Sequence, residues 1–177
     1  AARYTAFGDD LEYRVAPEGE VPSHETAIRH RARQLSGAYL HLNLHGYPSH
    51  EWTRPFSGYV PRNFGAWTLP KGFFLIARHH RGWADETEKL LEAVTRHLAT
   101  APDLMETTGR QIALYETHSG ETGFRFINGF PCFVSEDQRG IVPVTLITEY
   151  PDETIYGDAF RAGHTAQMET VLAAYDA

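Results

Sequence analysis

Two residues in this chain stand where chemistry can begin. His45 closes an alternating run, residues 38 to 45, just before Gly46, and Glu149 closes a β-branched run, residues 141 to 149, just before Tyr150-Pro151. In open α/β sheets ligands gather beyond the carboxyl ends of the strands, so two such ends can face one pocket. A neutral imidazole binds zinc, and a carboxylate takes a proton from water activated by the metal; this pair of residue types points to metal-assisted hydrolysis. On spacing alone, the plainer alternative stands beside it: His45 as the cap of a strand and Glu149 as the partner of a nearby arginine.

The other histidines offer less. His41 shares a strand face with His45, but four residues at ~3.3 Å each separate them by about 13 Å. That is too far for one zinc ion with bonds of about 2 Å, so His41 is expected to line the core or to support a ligand from behind. His24 and His30 fall on different helix faces, and His50-Glu51 sits in a loop. The adjacent His79 and His80 are read as structural, and His164, on an apolar helix stripe, as a satisfied core residue.

The elements that must position the pair follow from periodicity and punctuation. Residues 1 to 22 are read as irregular, and Ser23 as the N-cap of a helix to about Leu35. Leu40, Leu42 and Leu44 alternate with His41, Asn43 and His45, the pattern of a half-buried strand. Residues 46 to 70 read as a long loop whose Tyr47, Trp52, Phe56, Tyr59, Phe64 and Trp67 are suited either to wall a cleft or to pack on one another. Residues 72 to 78 read as a buried strand. Asp85 is expected to cap a helix to about Ala99, with Glu88 completing a capping box and Leu90, Leu91, Val94 and Leu98 as the buried stripe. A further helix is expected over about 103 to 117, a turn-rich stretch over 120 to 140, and a strand over 141 to 149 that Pro151 ends. The last helix, from about Asp158 to Tyr175, is expected to bury Phe160, His164, Met168, Val171, Leu172 and Tyr175. Helices alternating with apolar strands predict an α/β fold, a mixed, mostly parallel sheet with helices on both faces.

Composition narrows the class. The chain has 177 residues, 42% hydrophobic and 22% charged, ordinary values for one globular domain spanning 1–177. A formal net charge of -7 and scattered basic residues argue against nucleic acid as a partner. No apolar stretch is long enough to span a bilayer, so no membrane partner is expected. Cys132, the single cysteine, excludes an internal disulfide and a cysteine-based zinc cluster, and reads as a buried small hydrophobe. The chain opens on Ala1-Ala2-Arg3 with neither an initiator Met nor a signal-peptide pattern, so it reads as the middle of a longer chain.

Pro22-Ser23-His24-Glu25-Thr26-Ala27, then a helix, then His41-Leu42-Asn43-Leu44-His45-Gly46-Tyr47, resembles the middle of the zinc carboxypeptidase family, the carboxypeptidase A and B superfamily. In that family a strand ends in His-Ser-Tyr, whose histidine is the third zinc ligand; the matching residues here are His45, Gly46 and Tyr47, with glycine in place of the serine. Val144-Thr145-Leu146-Ile147-Thr148-Glu149 resembles the strand that ends in the family's catalytic glutamate.

The resemblance implies a Zn2+ cofactor held by His45, Glu149 as general base and then general acid, and Tyr47 as a pocket wall. Arg54 is the candidate for a substrate carboxylate. The substrate class implied is a peptide or an acyl-amino acid cleaved at its amide bond. The family's first two ligands come from a His-x-x-Glu motif, and none precedes His45; the only instance, His118-Ser119-Gly120-Glu121, comes later and reads as a polar turn. The resemblance therefore implies a preceding segment that carries those ligands, with this chain as the later part of the catalytic domain. The family's substrate-carboxylate arginine is not identifiable, Arg3 lying nearest its place. Two other readings share the motifs: a zinc deacylase resembling aspartoacylase or succinylglutamate desuccinylase, and a non-catalytic binding piece that keeps the fold without the metal.

Overall fold

The computed structural model describes residues 24–48, 71–101, 103–121, 123–152 and 156–177. The loop aromatics from Trp52 to Trp67, His50, Glu51, Arg54, Arg3 and the expected N-cap Ser23 lie outside the described residues. In chain order the elements are α1 (His24–Ser36), β1 (Leu40–Pro48), β2 (Phe74–His79), α2 (Ala84–Leu98), α3 (Leu104–Ser119), β3 (Arg125–Ile127), β4 (Phe130–Glu136), β5 (Val144–Asp152) and α4 (Gly157–Asp176). The α/β expectation holds.

The five strands form one sheet in the order β1-β5-β2-β4-β3. β1 with β5 and β2 with β4 run parallel, whereas β2 with β5 and β3 with β4 run antiparallel. The sheet is therefore evenly mixed and not mostly parallel. One cause is the β3–β4 hairpin, which the expectation of a turn-rich 120–140 stretch overlooked. Asn128 and Gly129 both have positive φ, at 47° and 87°, the backbone of a two-residue turn that closes antiparallel strands tightly.

Alternation then divides the sheet into two faces. Leu40, Leu42, Leu75, Ala77, Phe130, Cys132, Val144 and Leu146 meet Leu90, Leu91, Val94 and Leu98 of α2 and Ala166, Ala173 and Ala174 of α4 in one core. α1 lies over the opposite face, where Arg29 and Arg33 border a cavity with His41 and Thr145. Helices thus cover both faces.

Four local expectations are corrected. The N-cap of α2 is Trp83, without a side-chain cap; Asp85 sits inside the first turn, where its charge suits the helix dipole, and Glu88 pairs with Arg125. β5 runs through Pro151 to Asp152. It can do so because its ladder with β2 ends at Glu149, so the missing N–H of Pro151 faces no strand on that side. α4 buries Gly163, Ala166, Thr170, Ala173 and Ala174 and leaves Phe160, Met168, Leu172 and Tyr175 exposed, the reverse of the expected stripe. His164 is accordingly an exposed residue, its Nδ1 2.8 Å from the Phe160 carbonyl.

Candidate active site

β1 and β5 bring His45 and Glu149 together. The two are direct partners in the parallel ladder, on the face turned away from Leu42 and Leu146, and His45 Nδ1 lies 3.8 Å from Glu149 Oε1. The imidazole is 58% exposed, open to a ligand, while the carboxylate is only 15% exposed. Backbone contacts hold the histidine's position: its N–H donates to Thr148 Oγ1 at 3.3 Å, and its carbonyl accepts from Gln167 Nε2 of α4 at 2.9 Å.

Burial sets the electrostatics. Loss of hydration pushes the Glu149 carboxyl up to about 7, against the pull of the Lys71 charge, which favours the carboxylate. The same cause holds the Lys71 ammonium down at about 8, with the Glu149 charge acting in the opposite sense. A carboxyl near neutrality can both take and return a proton at physiological pH, the property a general base needs.

Lys71 is held by its surroundings. Its Nζ stands 4.9 Å from the ring centroid of Tyr47 and 5.4 Å from that of Tyr115, both within cation–π range. Tyr47 is buried; its hydroxyl donates to the Gly72 carbonyl at 2.9 Å and accepts from the Lys71 N–H at 2.6 Å. Its ring tilts against Phe74, 5.3 Å away, and Phe74 is the β2 partner of Glu149. Gly72 is required here. Its φ is 77°, and a Cβ would come within 2.5 Å of Thr108 Cγ2 and 3.1 Å of Thr108 Cα, so only glycine lets this segment run against α3.

Of the residues singled out in the sequence, the structure brings His45, Glu149 and Tyr47 into one neighbourhood; Arg54 lies outside the described residues. His41 is four residues from His45 on the same face, by the cavity under α1. His79 is buried with Nδ1 3.0 Å from the His80 carbonyl, and His80 Nε2 is 2.9 Å from the Gly140 carbonyl, as befits structural groups. Cys132 is buried, its thiol pushed up to about 12 by desolvation. Sequence reasoning missed Lys71, Tyr115 and Gln167. Lys71 follows Pro70 and precedes Gly72 in a stretch without periodicity, and nothing in its spacing set it apart.

Among the described residues no group of three or more His, Cys, Asp or Glu could hold a metal ion. The donor set fits zinc in part: an accessible imidazole with a carboxylate beside it supplies one ligand and a base, whereas a structural or catalytic zinc takes three or four protein ligands. No family model matches the chain, and no curated protein matches it.

Proposed function

We propose that the chain contributes the His45–Glu149 part of a zinc-dependent hydrolase that cleaves an amide bond, acting as a metallocarboxypeptidase on peptides. The observation that carries this reading is the pairing itself. Two residues 104 positions apart are direct ladder partners, with an open imidazole 3.8 Å from a shielded carboxylate. The motif resemblance around His45-Gly46-Tyr47 and Glu149 adds the family and the metal. In this reading a preceding segment supplies the remaining ligands.

Zinc, when bound at His45, supplies a Lewis acid that polarises the scissile carbonyl and acidifies water. Glu149 accepts a proton from the attacking water as its oxygen bonds to the carbonyl carbon. It then delivers that proton to the amide nitrogen as the carbon–nitrogen bond breaks, leaving a carboxylic acid and an amine. Lys71 draws Glu149 toward the carboxylate in a site whose burial favours the acid. Tyr47 positions Lys71 through its hydroxyl and ring, and Arg54 takes the terminal carboxylate of the peptide.

Metal analysis and peptidase kinetics on the full-length protein test this. Stoichiometric zinc is expected, lost in His45→Ala and retained in Glu149→Gln, whose kcat falls by about 10²–10⁴. Absence of zinc from the complete chain, or unchanged kcat in Glu149→Gln, ends the reading. Lys71→Met removes the charge that favours the carboxylate, so the acidic limb of the kcat/KM profile moves to higher pH. A limb that stays in place or moves down excludes that role for Lys71.

A further inference from the structure

The opposite end of the same strand pair holds a second feature that the hydrolase reading leaves unused. Between α1 and the sheet lies a cavity of about 240 Å³. Arg29 and Arg33 line it from the helix, and Ile28, Val142, His41 and Thr145 are among the other described residues that line it. His41 pairs with Thr145 in the ladder, four residues before the His45–Glu149 pair, so the cavity lies about 13 Å along the strands from the candidate active site.

Its charge is one-sided. Arg29 and Arg33 are one helical turn apart, a spacing that puts both guanidinium groups on the same face, where like charges repel. No carboxylate is among the described residues lining the cavity. Among the described residues the covered Nη1 of Arg29 has no hydrogen-bond partner. The group that best meets a guanidinium lining a cavity is an anion able to take its planar fork two bonds at a time. The remaining described walls are largely apolar, and the volume is roomy enough for a ring-sized body. One ring with an anionic substituent fills such a space.

We infer that this cavity is a binding site for a small carboxylate with an apolar, ring-sized body, held by Arg29 and Arg33 and separate from the His45–Glu149 pair. The inference stands whether or not the hydrolase reading does, because none of its residues takes part in that chemistry.

Benzoate is the probe, titrated into the complete chain and followed by calorimetry and by amide chemical shifts, with benzyl alcohol as a neutral control of similar size. Saturable one-to-one binding of benzoate is expected, with shifts at α1 and at the start of β1 and β5. Benzyl alcohol binds at least about tenfold more weakly, and Arg29→Met weakens benzoate by about tenfold or more. Ala32→Phe, at an exposed helix position on the cavity rim, blocks benzoate without unfolding the chain. Thermal melting checks each variant, and Arg33→Met serves if Arg29→Met fails to fold. Equal affinity for benzoate and benzyl alcohol overturns the inference. So does undiminished binding in the folded arginine variant, or no saturable benzoate binding at millimolar concentration.

Discussion

α2 and α4 pack against each other on the same face of the sheet, and they meet it in opposite ways. α2 turns its large side chains inward, Leu90, Leu91, Val94 and Leu98. α4 turns its small ones inward, Gly163, Ala166, Thr170, Ala173 and Ala174, while Met168 is 59% and Tyr175 89% exposed. Both helices carry apolar residues at helical spacing, sharply sorted in α2 and weakly in α4. What separates them is the room each is given. Tyr150, Phe73 and the leucines of α2 already occupy the space under α4, so α4 approaches with small side chains. At the closest point, a Cβ on Gly163 would stand 2.7 Å from the Tyr150 ring. Interior packing is dense, so volume already filled by one element decides which face of the next is admitted.

Substitutions can break or sharpen this contrast. The largest effect is expected from Leu91→Ala in α2, a fully buried leucine, with a loss of about 2–5 kcal/mol in urea unfolding. Next is Gly163→Val in α4, where overpacking against Tyr150 costs about 1–3 kcal/mol. An unchanged unfolding midpoint there would show that the ring moves aside freely. Gln167→Ala separates the helices by function. It removes the bond to the His45 carbonyl, about 1 kcal/mol, and, on the proposed hydrolase reading, lowers zinc occupancy or kcat/KM a few-fold, whereas Lys89→Ala on α2 changes neither. The smallest effect is expected from Leu172→Gln on the outer stripe, within about 0.5 kcal/mol. A loss several times larger would mean that this stripe is covered in solution.

The same contrast explains what the sequence made legible. β1 and α2 could be read because each sorts large apolar residues from polar ones at its own period, and that sorting placed His45 on the right face. β5 could be read through its β-branched run, though it continues through Pro151 to Asp152 beside β1, beyond the reach of β2. The inner face of α4 could not be read, since hydrophobicity ranks Met168 and Leu172 above Ala166 and Ala173 and says nothing about space. Asn128-Gly129 was a usable hairpin signal, obscured by Pro131 and the neighbouring turn residues. Lys71 and Tyr115 belong together only through the fold, 44 residues apart in sequence and joined over one ammonium group.

The parallel ladder of β1 on β5 also has a consequence for how this chain can change over time. Columns of side chains alternate strictly, with Leu44 and Thr148 in one and His45 and Glu149 in the next. Deleting or inserting a single residue between Leu40 and His45 would shift the rest of the strand by one position, carry any leucine beyond the change to the wrong side and exchange the imidazole for a leucine or glycine. Point substitutions along this strand can be gradual, but changes in its length cannot.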